Sequence, residues 1–408
     1  MTLAGLKRVE KEKVMVKKFD VGVIGGGVIG CAVAYYLSRS GVSVVLFEKN
    51  HICSGASSAS QGGLPIQVFD LKTIPLALAS AELYRGLSDE LGYDVEYHEN
   101  GSILVTRDAY QVPVLRKRYD ELKGMGLDID LWGNDQLRRF PGMDREPFLS
   151  VIESHFDGQV NPFRATYGFA FAARRQGVRI LTNASVAQIK TVKRKVHSVV
   201  LEKGEEFVCG NVVCAAGPWV RQIGKMVGLD IPVEPQRGQI IVTEQVADSE
   251  YPYILDGDYL TTAYGIKPEG EDEAAQKRHA LGIGGSYAQD LAGNWTIGSS
   301  RDMAGFVRTN SPEVLKGMTR RLLSFFPGMK DLNCIRFFAG FRPYCVKDGH
   351  PILGRVPDLS GFYIATGHAG EGIGLAPGTG KLIAEEITIG RTSLPLEEFR
   401  YERFVAPH

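Results

Sequence analysis

The chain has 408 residues, enough for about two or three domains with substantial cores. Hydrophobic residues make 44% and charged residues 23%, and 47 Lys and Arg balance 47 Asp and Glu, so no long-range field favours nucleic acid or an anionic membrane. Glycine is the outlier at 48 residues, against roughly 7% in an average protein, with no collagen-like or low-complexity repeat, so glycines are expected where backbone approaches something closely. Cys31, Cys53, Cys209, Cys214, Cys334 and Cys345 form no C-x-x-C pair and no zinc spacing with histidine, and they read as reduced, mostly buried thiols without a metal site.

The N-terminus carries Lys7, Arg8, Lys11, Lys13, Lys17 and Lys18 but no apolar h-region, which predicts a frayed tail rather than a secretory signal. Val21 to Leu37 is apolar, yet short for a membrane span and interrupted by glycines. A cytoplasmic protein is expected. Phe19 to Ile24 reads as a strand, Gly25-Gly26-Gly27-Val28-Ile29-Gly30 as a turn, and Ala32 to Ser40 as a helix. Gly25, Gly27 and Gly30 satisfy G-x-G-x-x-G: a tight turn, a close backbone approach to a pyrophosphate, and close helix–strand packing. A second strand, Val42 to Phe47, ends in Glu48, 18 residues beyond Gly30. Its carboxylate can accept hydrogen bonds from adenosine ribose hydroxyls and disfavours a 2′-phosphate, which argues against NADP. The motif alone does not separate FAD from NAD.

Cys53 to Gly63 is rich in small and hydroxyl residues, including Ser57, Ser58, Gly62 and Gly63. Alone it suits a surface loop; in a flavoprotein it would thread between pyrophosphate and ring system. Gly101 to Thr106 reads as a strand and Tyr110 to Met125 as a helix. Asn161 and Pro162 suit the N-cap and first turn of a helix ending near Gly177. A strand then begins at Val178, a β-meander covers Ser185 to Val208, and Val212 to Trp219 reads as a buried strand closing in an Ala215-Ala216-Gly217 corner. That corner suits either a second backbone approach to a dinucleotide or a core strand with a tight turn. Gly238 to Ser300 reads as a run of antiparallel strands, with Glu269 to Arg278 a solvated loop or hairpin tip.

The chain resembles the D-amino-acid oxidase family of FAD enzymes, the group that includes glycine oxidase, sarcosine oxidase and D-amino-acid or hydroxyproline dehydrogenases. The resemblance runs nearly end to end. It rests on the first motif with Glu48, the Gly55 to Gly63 loop, Asp157-Gly158 to Pro162, Ala215-Ala216-Gly217 and Arg237-Gly238-Gln239. The C-terminal block is the most specific: Ala339 to Pro343, Asp348 to Gly354, and Gly361 to His368. Six glycines then lie from Gly367 to Gly380 before a helix expected over Lys381 to Ile389. In the family this helix N-terminus faces the pyrimidine end of the flavin, where a positive helix end stabilises developing negative charge.

The resemblance implies non-covalent FAD held at Gly25, Gly27, Val28, Ile29, Gly30, Glu48, Lys49, Ser57, Ser58, Gly62, Gly63, Val186, Ala216, Gly217, Trp219, Arg342, Gly370, Gly372, Ile373 and Gly374. It assigns Arg342 to the substrate carboxylate, for which a guanidinium fork is suited. Read on its own, an arginine at a strand end is more often a surface or ion-paired residue. Tyr259 is the candidate to complete the site, with Tyr253 or Tyr264 as alternatives and core packing open for each. His368 is given no acid–base role. Cys345 sits closer to Asp348 than the cysteine that tethers flavin in some relatives, so dissociable FAD is expected.

The expected fold class is α/β. It combines a Rossmann-like FAD-binding domain (1–96, 153–229 and 334–408) with an inserted mixed or antiparallel β-sheet substrate domain (97–152 and 230–333). The expected reaction is oxidation of the C–N bond of a small amino or imino acid to an imine, with oxygen or an electron-transfer acceptor as second substrate. A homo-oligomer is one expected state. Two alternatives stand: a flavin-bearing subunit of a larger dehydrogenase complex, and an NAD-dependent dehydrogenase, which has no need of the Gly367 to Gly380 block.

Overall fold

The computed structural model describes residues 17–133, 140, 142–144, 148–247, 251–266, 270 and 272–405; the tail residues Lys7 to Lys13 lie outside them. Lys17 and Lys18, expected in that tail, instead extend the first strand and pair with Phe207 and Val208. This strand, Lys17–Ile24, lies between Val44–Phe47 and Glu206–Cys214, all parallel. Arg179–Leu181 widens one side, and Phe362–Thr366 followed by antiparallel Ile352–Arg355 widens the other. The expected meander is present as Val186–Val192 and Lys195–Leu201, paired onto Glu206–Cys214. The motif helix, Val28–Arg39, is buried on most of its surface against Pro162–Arg175 and Gly372–Ile389. A Cβ at Gly380 would lie 2.8 Å from Ala32, so a side chain there would force the two helices apart.

The second sheet runs Ile129–Trp132, Ser150–Ser154, Ser102–Thr106, Tyr253–Asp256, Ile283–Gln289, Asn294–Ser300, Val233–Gln245, Cys334–Cys345. Tyr253–Asp256 pairs in parallel with Ser102–Thr106 while its other neighbour, Ile283–Gln289, is antiparallel, so the sheet is mixed, as expected. Cys334–Cys345, expected in the nucleotide-binding unit, pairs along its length with Val233–Gln245 and belongs to this sheet. Asp157 ties the two units. Fully buried, its carboxylate accepts from Ile66 N at 2.9 Å and Ser102 Oγ at 2.6 Å, so this landmark of the sequence is structural.

Two helices interrupt the expected run of strands. Gly257–Tyr264 places Tyr259 and Tyr264 on a helix, and Glu273–Ala280, capped by Asp272, replaces the expected solvated loop. Short β-branched and aromatic runs do not distinguish strand from helix, and here a buried charge cluster decides. Asp256 caps the first helix through Tyr259 N at 3.1 Å and also accepts from Gly285 N at 3.0 Å and Arg321 Nε at 2.8 Å. Arg278 pairs with Asp258 at 2.5 Å and Asp108 at 3.1 Å, and Arg321 reaches Asp108 at 3.0 Å. Asp256 and Asp258 are completely buried, so each depends on these partners. Arg321→Met leaves both underpaired and should lower unfolding stability by about 3–5 kcal/mol, measured by urea denaturation. Exposed Arg320→Met should change it by less than about 0.5 kcal/mol.

Candidate active site

The first strand delivers its chain into a turn that only glycine can make. Gly25 has φ of +116°, and a Cβ there would lie 2.3 Å from Ala215 O, so the motif turn and the Ala215-Ala216-Gly217 corner pack backbone on backbone. Gly26 N donates to Glu48 Oε2 at 2.7 Å, and Asn50 N to Glu48 Oε1 at 2.7 Å. These bonds orient the buried carboxylate and leave its remaining lone pairs for hydroxyl donors. Gly27 is the N-cap of the motif helix. A Cβ on it would meet only Ser57 Oγ, at 3.3 Å, on a surface that lines a cleft of about 390 Å³. The helix start thus presents bare backbone and its positive end to that cleft, which suits a pyrophosphate. Ser57 Oγ accepts from Val28 N at 3.0 Å.

The second sheet covers the cleft, and the Ser54–Gly63 loop lies between. A Cβ at Gly63 would be 2.2 Å from the Tyr253 ring, and one at Gly340 would be 2.3 Å from Ala59 Cβ. Gln61 crosses this seam: its Nε2 donates to Ser286 O at 3.1 Å and Thr296 O at 2.9 Å, and its Oε1 accepts from Tyr253 OH at 3.0 Å and Ser286 Oγ at 2.7 Å. The Tyr253 proton is thereby committed. Tyr264 OH donates to Val68 O at 2.5 Å. Tyr259 lines the cleft, and among the described residues its hydroxyl has no hydrogen-bond partner.

The C-terminal helix begins at Gly372, nine residues earlier than the sequence suggests, so much of the glycine block lies inside it. Gly370, Gly372 and Ile373 line the cleft, while Gly374 meets Phe69, Gly378 meets Ser80 and Leu76, and Gly380 meets Ala32. Half of the glycine block therefore serves packing. Pro377 lies within the helix and cannot donate to Ile373 O; Tyr84 OH supplies that bond at 2.6 Å. The helix N-terminus is thus held rigidly at the cleft. His368 is buried against Thr379 at 3.1 Å, and burial pulls its pKa down to about 3.

Arg342 reaches the cleft from the edge strand. Its Nη1 donates to Ser300 O at 2.8 Å, and among the described residues it forms no ion pair. Burial, reinforced by neighbouring Arg301, pulls its pKa down to about 10, still well above neutrality, so the charge persists. The Arg237-Gly238-Gln239 landmark explains how it is housed. A Cβ at Gly238 would lie 2.3 Å from Arg342 Nη1. Arg237 pairs with Asp302 at 2.9 Å, and Gln239 accepts from Ser311 N at 2.7 Å, fixing the segment after Ser300.

The family model described as FAD dependent oxidoreductase matches residues 20–386. The chain belongs to this FAD-dependent oxidoreductase family. It is 28% identical over 400 residues to glycine oxidase of Geobacillus kaustophilus, covering 96% of this chain and 98% of the relative. An opine oxidase subunit of Rhizobium meliloti is 26% identical over 401 residues, covering 95% and 98%. The crystal structure of L-proline dehydrogenase from P. horikoshii superimposes with a TM-score of 0.85 at 25% identity, covering 96% and 98%. The residues fit the FAD that the family uses: a glycine cradle for the pyrophosphate, an oriented carboxylate for the ribose, and a second helix N-terminus beside the substrate side. As an oxidoreductase of this family the protein uses FAD in place of NAD.

Of the expected cofactor contacts, Gly25, Gly27, Val28, Ile29, Glu48, Lys49, Ser57, Gly63, Val186, Ala216, Gly217, Trp219, Arg342, Gly370, Gly372 and Ile373 line the cleft, as does Tyr259. The other four stand behind its wall. A Cβ at Gly30 would lie 1.9 Å from Gly25 O, at Gly62 2.0 Å from Val160 O, and at Gly374 3.3 Å from Phe69; Ser58 Oγ donates to Gly55 O at 3.0 Å. Cys345 is fully buried in the core. Sequence reasoning missed Gln61, although it is the one long polar side chain in a loop of small residues. It also missed Arg308, which lines the cleft, and Arg301, which lies close to Arg342; neither belongs to a motif.

Two outcomes follow from this geometry. Gly27→Val should fold but retain less than about a tenth of wild-type FAD, because its side chain enters the space meant for the pyrophosphate; flavin absorbance per mole of protein measures this. Gly238→Val should keep FAD yet lower kcat/KM by roughly 10- to 100-fold through displacement of Arg342.

Proposed function

We propose that the chain oxidises the C–N bond of a small amino or imino acid, with Arg342 as the anchor for the substrate carboxylate. The observation that carries this reading is a half-buried guanidinium on the cleft wall that, among the described residues, has a carbonyl and no carboxylate as partner. A cation so placed calls for an anion, and the planar fork matches a carboxylate. The relatives named glycine oxidase, opine oxidase and L-proline dehydrogenase support the same substrate class.

Non-covalent FAD, when bound, supplies the two-electron acceptor. The residues of the chain orient and enclose. Arg342 holds the carboxylate, the unoccupied Tyr259 hydroxyl offers a second polar contact, and the small-residue loop and second sheet exclude water. His368, which burial holds uncharged at neutral pH, is hydrogen-bonded to Thr379 and is given no acid–base role; none is needed when the amine arrives deprotonated. The hydride of the α-carbon would pass to bound FAD as the nitrogen lone pair forms the C=N bond, and water would then hydrolyse the imine. Six free cysteines, five of them buried, suit a reducing cytoplasm.

A second reading, in which the chain passes electrons to partner subunits, is favoured by its likeness to a protein named as one subunit of an opine oxidase. An anaerobic substrate panel scored by flavin bleaching tests the first reading, and repeating it with oxygen or an artificial acceptor separates oxidase from dehydrogenase. Removing one member of a buried charged pair costs ~2–5 kcal/mol. Arg342→Ala should therefore lower kcat/KM by roughly 30- to several-thousand-fold, with FAD retained and partial rescue by lysine. Survival of amino-acid oxidation within a few-fold would place the anchor elsewhere.

A further inference from the structure

A second guanidinium stands close to Arg342, also without an acid among the described residues. Arg301 follows the Asn294–Ser300 strand, and its guanidinium lies 4.5 Å from the centroid of the Tyr259 ring. Its Nη1 donates to Thr262 Oγ1 at 3.3 Å and Ser299 Oγ at 3.5 Å, both neutral groups at the long limit of hydrogen bonding. Tyr259 and Ser299 line the cleft, so Arg301 contacts two residues of its wall. The neighbouring acid, Asp302, is already taken: Arg237 Nε donates to its two oxygens at 3.0 and 3.2 Å, and Nη2 adds a bond at 2.9 Å.

Two arginines on helices packed near this sheet differ from Arg301 and Arg342. Arg278 and Arg321 are both paired, sharing Asp108, Asp256 and Asp258. Among the described residues Arg301 and Arg342 form no ion pair, yet they are close enough for Arg301 to weigh on the ionisation of Arg342. Two uncompensated cations flank Tyr259, and one substrate carboxylate balances only one of them.

We propose that the substrate is an amino acid bearing a second carboxylate, with one carboxylate on Arg342 and the other on Arg301. This rests on the amino-acid reading above and deepens it. The second carboxylate could sit on the nitrogen substituent or on the side chain. Two pairs of amines distinguish these, each pair differing by one carboxylate in place of a methyl hydrogen: sarcosine with iminodiacetate, and DL-alanine with DL-aspartate.

The experiment is anaerobic flavin reduction by the FAD-loaded full chain, followed by stopped flow. In one pair the dicarboxylate should show kcat/KM at least about 10-fold above its partner. Arg301→Gln should lower that dicarboxylate-to-monocarboxylate ratio by roughly 30-fold, and Arg301→Lys should restore part of it. FAD content and melting temperature of each variant establish that it is folded. A monocarboxylate preferred in both pairs, or a ratio unchanged in Arg301→Gln, overturns the second anchor. If monocarboxylates bleach the flavin and dicarboxylates do not, the second anchor alone fails. If none of the four amines bleaches it, the amino-acid reading fails with it.

Discussion

An arginine kept charged in a half-buried cleft, with no carboxylate partner among the described residues, is the constraint around which the substrate side of this molecule is arranged. Leaving a guanidinium without a counter-charge costs several kcal/mol unless a ligand meets it, and the surrounding residues hold that state in place. Gly238 vacates the space the guanidinium fills. Ser300 O takes one of its protons. Arg237 occupies Asp302, an acid close enough to act on the Arg342 charge. The Tyr259 helix is fastened from behind by Asp256 and Arg321, so the charge cluster stabilises the site without entering it.

The nucleotide side depends on a different principle, the replacement of side chains by backbone. Gly25 against Ala215 and Gly27 open to the cleft let main-chain groups approach where a methyl would intrude. Two helix N-termini converge there, and each contributes a positive end worth ~0.3–1 kcal/mol or more toward an anionic group. Rigidity at the C-terminal helix comes from an exchange of bonds: Pro377 gives up an amide donor, and Tyr84 satisfies the freed carbonyl. Gln61 links the two sides, spending its whole amide on the substrate sheet and on Tyr253.

Such a division of labour suits a family whose members share a cofactor and differ in substrate. The dinucleotide contacts come largely from backbone and small residues, which tolerate little variation in shape. The substrate contacts come from long side chains on a separate sheet, where exchanging one arginine or tyrosine alters what is recognised without disturbing the cofactor cradle. Arg301, which neither the motifs nor the periodicity single out, belongs to this variable set.

Much of the nucleotide side was legible in the sequence, because its determinants are local. The strand–glycine–helix run, Glu48 at the end of the second strand and the Asn161 cap each act within a few residues, and the structure contains all three. Resemblance added Arg342 as a candidate anchor, but neither its isolation from acids nor the space for it at Gly238 can be read from a single strand. The tertiary structure alone decided that Tyr259 rides on a helix, that Cys334–Cys345 joins the second sheet, and that half of the C-terminal glycines serve packing. It also decided that Arg301 stands beside Arg342 with Asp302 already taken. Those outcomes turn on contacts between residues tens to hundreds of positions apart, where burial and charge pairing outweigh local propensity, and a linear pattern carries no record of which charges meet.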